Sequence, residues 1–128
     1  NEVYEMFMGR GDIICTPNAS ELSILYKNCS LFAYPSLMEG FGIPILEALI
    51  QGAPLICSDI DVFREIIGYN QKIMFDPTDE GSIIQALENY RRGIRSSNLL
   101  NVNVILNTFS LERLVSETHK FYQDLANV

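Results

Sequence analysis

Residue types that mark several other classes of protein are scarce in this chain of 128 residues. It has no tryptophan, one histidine (His119) and three scattered cysteines, Cys15, Cys29 and Cys57, without a C-x-x-C pair. A disulfide framework needs an even set of cysteines, and a zinc site needs clustered Cys and His ligands. We therefore interpret the cysteines as small buried side chains in a reducing compartment, and we expect no metal site.

Basic residues are also few: the chain has 9 Lys and Arg residues and 16 Asp and Glu residues, which gives a formal net charge of -7. Proteins that bind nucleic acid carry a basic face, so we expect no nucleic-acid partner. No apolar run approaches the roughly 18 to 20 residues that a membrane span needs. The segment 1–5 has no signal-peptide pattern. These absences predict a cytoplasmic protein.

Apolar sequence is plentiful, at 48% of residues, and we expect residues 1–128 to form a single domain around one core. Short apolar runs predict strands, and the segments between them have helical spacing with cap and stop signals. The predicted strands are 13–15, 31–34, 54–57 and 73–75. The predicted helices are 3–8, from the cap at Asn18 towards Asn28, from Pro44 to Gly52, through Phe63 to Gly68, from Ile83 to Arg92, and after Ser110.

This alternation, with strands that are apolar on both faces, predicts an α/β fold: a Rossmann-like parallel sheet flanked by helices. Ligands bind such sheets at the carboxyl ends of the strands. The long loop after Tyr34 is the most unusual of the loops at that edge, because it combines glycines and carboxylates before a helix.

The two glycines of this loop, Gly40 and Gly42, would let its backbone approach a ligand closely and present N–H groups. The helix that we expect to begin near Pro44 directs its positive dipole end at the same space, which favours an anion such as a phosphate group. Because proline lacks an N–H, Ile43 and the following turn would supply the donors.

Two carboxylates bracket the glycines, and each has a plain structural alternative. Glu47 is the only charged residue in the segment 43–50. It is either a first-turn glutamate stabilised by the helix dipole, typically by about 0.3 to 1 kcal/mol, or a group that binds ligand. Glu39 is either a solvated loop residue or a catalytic one. Together they suit the vicinal hydroxyls of a sugar or ribose, because a carboxylate accepts two hydrogen bonds side by side.

The segment 39–48, Glu-Gly-Phe-Gly-Ile-Pro-Ile-Leu-Glu-Ala, resembles the Glu-x7-Glu signature of retaining GT-B glycosyltransferases of family four, the glycosyl transferases group 1. Other segments resemble that family in the same order along nearly the whole chain. They are the strand before the motif (30–36), a Gly-x-Pro-Val-x-x-Ser-like strand (52–58), the segment 63–68, Phe-Asp-Pro (75–77), and Phe-Ser-Leu (109–111) where the family usually has Phe-Ser-Trp.

The resemblance implies the C-terminal, donor-binding half of a GT-B enzyme, which takes a nucleotide sugar such as a UDP- or GDP-sugar and needs no metal or other cofactor. Glu39 would be the catalytic residue, holding hydroxyls of the donor sugar near the reacting carbon and acting electrostatically. Glu47 would accept hydrogen bonds from the ribose hydroxyls. The backbone N–H groups that face the sugar and pyrophosphate would be those of Gly40, Phe41, Gly42 and Ile43.

The resemblance also implies hexosyl or N-acetylhexosaminyl transfer with retention, in the biosynthesis of lipopolysaccharide, O-antigen, capsule or another surface polysaccharide. The acceptor would be a sugar or a lipid-linked glycan. The family's Arg and Lys that clamp the pyrophosphate, and its acceptor domain, would precede Asn1. The fold would then be truncated at its N-terminal end and the chain inactive alone, and the full-length enzyme would associate peripherally with the inner face of the plasma membrane.

Other interpretations stay open from the sequence. The chain could belong to a glycogen- or sucrose-synthase-like enzyme, or a sugar-phosphate synthase, of the same superfold, or it could be a non-catalytic α/β interaction module. Asp59 and Asp61 either line the rim of the site or belong to a turn. The basic cluster is either a solvated helix end or a contact for acidic lipid headgroups. Its members are Arg91, Arg92 and Arg95.

Overall fold

The computed structural model describes residues 16–96 and 100–126. The helix predicted over 3–8 and the strand predicted over 13–15 lie outside these residues. The described helices are α1 (Ala19–Asn28), α2 (Ile43–Ile50), α3 (Asp61–Ile67), α4 (Glu80–Arg91), α5 (Val102–Thr108) and α6 (Leu111–Ala126). The described strands are β1 (Phe32–Tyr34), β2 (Leu55–Ser58) and β3 (Met74–Phe75).

Helix α1 begins where the capping-box spacing predicts. Asn18 Oδ1 accepts hydrogen bonds from the backbone N–H groups of Ser20 and Glu21, both at 3.0 Å. In return, Glu21 Oε2 accepts the backbone N–H of Asn18 at 2.9 Å. These bonds satisfy N–H groups that have no partner within the helix. The start of α1 is therefore fixed, which sets the position of Tyr26 about two turns later.

The three strands form one parallel sheet in the order β1-β2-β3. Phe32 pairs with Leu55 and Tyr34 with Cys57 across β1 and β2, and Cys57 pairs with Met74 across β2 and β3. Because these strands are parallel, their carboxyl ends lie along one edge of the sheet. The loop after Tyr34 starts at that edge, as the sequence predicts.

Helices cover both faces of the central strand β2, all of whose residues are buried. Leu55 and Cys57 belong to a core cluster with residues of α2, α3 and α5. On the other face, Ile56 packs with Phe75 and with Ala86 of α4. Burial on both faces is typical of a parallel strand between two layers of helices. The predicted α/β fold, a Rossmann-like parallel sheet flanked by helices, is confirmed.

Helix α5 is absent from the sequence prediction. Its sequence, Val-Asn-Val-Ile-Leu-Asn-Thr, is rich in β-branched residues and asparagine, which have weak helix propensity. Two interactions compensate: Asn101 Oδ1 accepts the backbone N–H of Val104 at 3.2 Å, and Ile105 is buried in the core cluster that contains α2 residues. Tertiary packing therefore overrides local propensity in this segment.

Helix α6 begins after Ser110, as predicted, and Ser110 Oγ accepts the backbone N–H of Arg113 at 3.3 Å. His119 on this helix is exposed. The apolar stripe of α6 is largely exposed as well, its members having between 56% and 71% of their surface accessible. These residues are Leu111, Leu114, Val115, Phe121, Tyr122 and Leu125.

Helix α2 begins one residue earlier than the proline-based prediction. Pro44 occupies the second helical position instead of the first, and Gly42 is the N-cap, with φ of 92°. Gly42 is buried, and a Cβ there would lie 2.9 Å from Phe63 Cε1 and 3.2 Å from Ile66 Cδ1. Residue 42 is therefore glycine for two reasons: its backbone is left-handed, and α3 already fills the space of a side chain.

We predict that Gly42→Ala lowers the free energy of unfolding by about 2 to 4 kcal/mol, because it combines backbone strain with a steric clash. Gly52 has φ of 73°, but a Cβ there meets no atom within 4 Å. Gly52→Ala should therefore cost only about 1 to 2 kcal/mol.

Gly40→Ala is the matched control, because Gly40 has neither constraint, and it should change stability by less than about 0.5 kcal/mol. Urea unfolding of the three variants measures the loss in the free energy of unfolding at each position and so tests the predicted order. Equal losses at positions 42 and 52 would contradict the packing argument.

Candidate functional site

The base of the loop after β1 is fixed by a buried hydroxyl on the neighbouring strand. Ser58 Oγ accepts the backbone N–H of Ser36 at 2.8 Å and donates to the carbonyl oxygen of Tyr34 at 3.4 Å. Ser58 is the last residue of β2 and is completely buried. The ends of β1 and β2 are therefore tied together, and the loop leaves the sheet from a rigid starting point.

Glu39 is held by two hydroxyl groups from the start of its own loop. Its Oε1 atom accepts a hydrogen bond from Tyr34 Oη at 2.7 Å and another from Ser36 Oγ at 2.8 Å. Both bonds favour the charged form of the carboxyl group and so hold the pKa of Glu39 below its ordinary value. The bond from Tyr34 has the larger effect. Glu39 is thus a carboxylate at neutral pH, suited to interact with positive charge or to accept hydrogen bonds.

Tyr34 is an effective donor to this carboxylate. Burial, and then its hydrogen bond to Glu39, raise the pKa of Tyr34 to about 12. Its hydroxyl therefore keeps its proton throughout the physiological range. Its ring is stacked between two others, with centroid distances of 5.7 Å to Phe32 and 5.4 Å to Phe63. The ring packing fixes the direction in which the hydroxyl points.

Glu47 is the fifth residue of α2, and no acidic residue lies in the first turn of that helix. The interpretation of Glu47 as a first-turn, dipole-stabilising glutamate is therefore wrong. Its Oε2 atom accepts a hydrogen bond from Tyr26 Oη at 3.2 Å. Tyr26 is buried, and this burial, followed by the charge of Glu47, raises the pKa of the tyrosine to about 12. A tyrosine thus orients each of the two glutamates of the motif.

Each glutamate lines its own cleft. Glu47 and Tyr26 border a space of about 200 Å³ between α1 and α2. Glu39 borders a second space of about 400 Å³, between the loop after β1 and the start of α3. Among the lining residues in the described part of the chain, the two clefts share none. Their other lining residues are Ala19, Leu22, Ser23, Ile50 and Gln51 in the first, and Leu37, Met38, Asp59, Ile60, Asp61 and Val62 in the second.

The glycine-containing segment between the glutamates is accessible at Gly40, Phe41 and Ile43, while Gly42 is buried. The Phe41 ring packs edge-on against Phe109, with 5.5 Å between centroids. Within residues 16–96 and 100–126, no hydrogen bond uses the backbone N–H of Gly40, Phe41 or Gly42. The N–H groups of the exposed residues Gly40 and Phe41 are thus available beside the amino end of α2, where the helix dipole adds partial positive charge, whereas that of Gly42 belongs to a buried residue.

Asp59 and Asp61 follow β2 at the rim of the Glu39 cleft, and a basic residue of α3 engages both. Arg64 donates two hydrogen bonds to Asp59, from Nε at 2.6 Å and from Nη2 at 2.8 Å. Its Nη1 atom lies 3.7 Å from Asp61 Oδ1. The paired carboxylates, Asp59 foremost, raise the pKa of Arg64. The two aspartates therefore line the rim, as one of the alternatives held, but the charge of Asp59 is already compensated.

The basic cluster lies at the carboxyl end of α4 and makes interactions within the chain. Arg92 Nη2 lies 3.2 Å from Glu88 Oε2. The Arg95 guanidinium lies 4.0 Å from the centre of the Tyr90 ring and also donates to the Tyr90 carbonyl oxygen. These contacts favour the interpretation of a helix end whose carbonyls and dipole are complemented by cations.

Two further features of the described residues concern metals and membranes. No group of three or more His, Cys, Asp and Glu side chains in 16–96 and 100–126 is arranged to hold a metal ion. No helix in the same ranges combines the length and the apolar character needed to cross a membrane.

Sequence reasoning found the two glutamates but missed the side chains that orient them. The strand predicted over 31–34 includes Tyr34 and the helix predicted after Asn18 includes Tyr26, but the sequence pattern gives neither tyrosine, nor Ser36, a role in the site. A signal was present, since a buried tyrosine usually finds a partner for its hydroxyl. The sequence alone could not show that both partners would be the glutamates of one motif.

Fold and site together define the class: a Rossmann-like α/β domain with a loop of glycines and carboxylates at the carboxyl edge of its parallel sheet. The family described as glycosyl transferases group 1 matches residues 8–92, which is more than half of the chain and includes both Glu39 and Glu47. The chain therefore belongs to this family, and its resemblance to GT-B glycosyltransferases of family four is confirmed.

Curated relatives match about half of the chain. It is 44% identical over 70 residues to the O-antigen chain mannosyltransferase RfbU of Salmonella typhimurium (strain LT2), covering 55% of the chain and 20% of that protein. It is 41% identical over 63 residues to the O-antigen chain mannosyltransferase B of Escherichia coli, covering 49% and 16%. It is 33% identical over 64 residues to the MMP alpha-(1->4)-mannosyltransferase of Mycolicibacterium hassiacum, covering 48% and 16%. The chain thus spans about a fifth or less of the length of these relatives.

We predict that the double variant Tyr34→Phe, Ser36→Ala raises the pKa of Glu39 towards its ordinary value, because both donors to Oε1 are lost. A lowered folded-state pKa contributes stability that is present above the unfolded-state value and lost as pH falls through the folded one. The double variant should therefore lose less stability than the parent on acidification through that range. Carboxyl-carbon NMR titration measures the pKa directly.

Asp76 is the internal control for this titration. Its pKa is lowered by hydrogen bonds from the side chain and backbone of Thr78, at 2.6 and 2.8 Å, which the variant leaves intact. An unchanged Glu39 titration, or an equal rise at Asp76, would show that the two hydroxyls do not set the ionisation of Glu39.

Proposed function

We propose that this chain supplies the donor site of a glycosyltransferase that binds a nucleotide sugar and transfers its sugar with retention of configuration. The observation that carries the proposal is the pair of glutamates on the β1–α2 segment, each oriented by a tyrosine hydroxyl, within the region that matches the family. An incidental pair of acidic surface residues would not each be expected to accept a hydrogen bond from a tyrosine hydroxyl, one from the buried Tyr26 and one from the half-buried Tyr34. The proposed site is therefore built from β1, α1 and α2 together.

In this proposal the two carboxylates bind different parts of the donor. Glu47 accepts hydrogen bonds from the ribose hydroxyls, since it borders the cleft between α1 and α2. Glu39 accepts hydroxyls of the transferred sugar, since it is an ionised acceptor beside the second cleft. The diphosphate lies between them at the start of α2, where the helix dipole favours an anion. The donors there are the backbone N–H groups of Gly40, Phe41, Gly42 and Ile43.

The chemistry that follows is dissociative. The bond between the anomeric carbon and the diphosphate oxygen breaks, the electron pair leaves with the diphosphate, and positive charge develops on the sugar ring. The ionised Glu39 stabilises that charge electrostatically. The acceptor hydroxyl attacks the face from which the diphosphate departs, which gives retention, and its proton passes to the departing phosphate oxygen. No metal ion is required in this scheme, because the helix dipole and basic groups stabilise the leaving group.

The names of the relatives support a more specific proposal for the donor and the acceptor. Because all three relatives are named as mannosyltransferases, and two of them as O-antigen chain mannosyltransferases, we propose a nucleotide-activated mannose as donor and a growing, lipid-linked surface glycan as acceptor. The acceptor would bind to a part of the full-length protein outside this chain, so residues 1–128 alone would be most of a donor domain and would transfer nothing. The full-length enzyme would work in the cytoplasm, against the inner face of the membrane that holds the acceptor.

Binding of the nucleotide can be tested on the chain itself through its melting temperature, with GDP, UDP, GDP-mannose and UDP-glucose as probes. A ligand at about 100 times its Kd adds about 2.7 kcal/mol to the stability of the folded state, which is a shift of several degrees in Tm. We predict that Glu47→Ala abolishes the shift caused by the nucleoside diphosphate. Glu39→Ala should keep that shift and lose only the additional stabilisation given by the sugar.

Glu88→Ala is the matched control, because Glu88 lies on α4, borders neither glutamate cleft and is paired with Arg92. It should behave as the parent chain does with every probe. If Glu47→Ala binds nucleoside diphosphate as tightly as the parent, the ribose assignment fails. If neither the parent chain nor the full-length protein binds any nucleotide, the non-catalytic interaction module becomes the better account.

A further inference from the structure

Both hydroxyl groups that reach Glu39 bind the same one of its two oxygen atoms. Tyr34 Oη and Ser36 Oγ donate to Oε1, at 2.7 and 2.8 Å, and the serine hydroxyl has the Met38 carbonyl oxygen as a second, more distant acceptor at 3.1 Å. A carboxylate oxygen has about two lone-pair directions, so these bonds fill the capacity of Oε1. Within residues 16–96 and 100–126, no hydrogen bond is made to Oε2. The two oxygens of Glu39 are therefore different: one is engaged by the protein and the other is not.

The two donors are themselves held by the core of the fold. The Tyr34 ring is stacked between Phe32 and Phe63, and the Phe63 ring fills the space above Gly42. Ser36 is anchored through its backbone N–H to the buried Ser58 hydroxyl, at 2.8 Å. Neither donor can move far without disturbing β1, β2 or α3, so the orientation of the Glu39 carboxylate is set before any ligand arrives.

We propose that Tyr34 is a positioning residue for Glu39, whose hydroxyl engages Oε1 so that Oε2 is the oxygen that accepts a hydroxyl of the donor sugar. This inference rests on the proposed function, because it names how the sugar half of the same site is recognised. Tyr34 itself touches no part of the donor. The phenol does what an arginine or lysine partner would not: it orients the carboxylate without neutralising its charge.

The test compares the affinity of the full-length protein for GDP-mannose with its affinity for GDP, by isothermal titration calorimetry. Tyr34→Phe keeps the stacked ring and removes only the hydroxyl. It should weaken GDP-mannose binding about tenfold, because the carboxylate is then no longer held in its binding orientation and must be ordered when the sugar binds, and it should leave GDP binding unchanged. Ser36→Ala removes the second donor to the same oxygen and should give a loss in the same direction.

Two controls separate positioning from a general structural effect. Tyr26→Phe removes the hydroxyl that donates to Glu47, and it should weaken the binding of GDP and the binding of GDP-mannose by the same factor. In a Glu39→Ala background, Tyr34→Phe should have no further effect on GDP-mannose binding, because the carboxylate that it orients is gone.

The outcomes are distinguishable. If Glu39→Ala weakens the binding of GDP-mannose but not of GDP, while Tyr34→Phe binds both as the parent does, the positioning role of Tyr34 is overturned and the proposed function stands. A Tyr34→Phe loss that is equal for GDP and GDP-mannose, or that persists in the Glu39→Ala background, also overturns it. If Glu39→Ala itself leaves the preference for GDP-mannose over GDP intact, the proposed sugar role of Glu39 fails and the positioning role falls with it.

Discussion

The contact between the Phe63 ring and Gly42 is the constraint on which the rest of this structure depends. The ring occupies the space that a side chain at residue 42 would need, so this residue must be glycine, and glycine takes the left-handed backbone from which α2 starts. The same ring stacks on Tyr34 at 5.4 Å. One aromatic side chain of α3 therefore fixes both the amino end of α2 and the tyrosine that orients Glu39, the two parts of the proposed donor site.

The electrostatics of the site differ from those of the whole chain. A formal net charge of -7 disfavours polyanions in general. The start of α2 nevertheless offers N–H groups and a positive helix end, over a region small enough to suit one diphosphate. The glutamates beside it are held by neutral phenols, and the ion pairs of the described ranges involve neither of them. Their negative charge is therefore not offset by a cation within these ranges, as the proposed role of Glu39 beside a developing positive charge requires.

Much of the fold could be predicted from the sequence because its strands and helices have clear local signals. The capping box at Asn18, the apolar run of β2 and the glycine before α2 each encode a local structure that the chain adopts. Helix α5 could not be predicted in this way, because its residues have weak helix propensity. The segment is helical because its packing against α2 stabilises the helix. The position of Pro44 was displaced by one residue for a similar reason, since the contact of Gly42 with α3 sets the start of the helix.

In the candidate site, too, some features follow from the local sequence and others depend on tertiary packing. The two glutamates and the glycines are recognisable by spacing, whereas the tyrosine partners of the glutamates lie 5 and 21 residues away in the sequence. The side chain of Tyr26 meets Glu47 only because Tyr26 of α1 packs against two small residues, Ala48 of α2 and Ala53 in the turn that follows it. Contacts of this kind depend on the register of elements against one another, which no local pattern encodes.

The central claim is that the segment between Glu39 and Glu47 binds the nucleotide sugar, and amide chemical-shift mapping tests it most directly. In a titration of the isotopically labelled chain with GDP-mannose, the account predicts the largest shifts at Gly40, Phe41, Gly42, Ile43 and Glu47. Smaller shifts are expected at Tyr26 and Tyr34, and none at the carboxyl end of α4. Shifts confined to the exposed stripe of α6, with the amides between the two glutamates unperturbed at saturation, would contradict it.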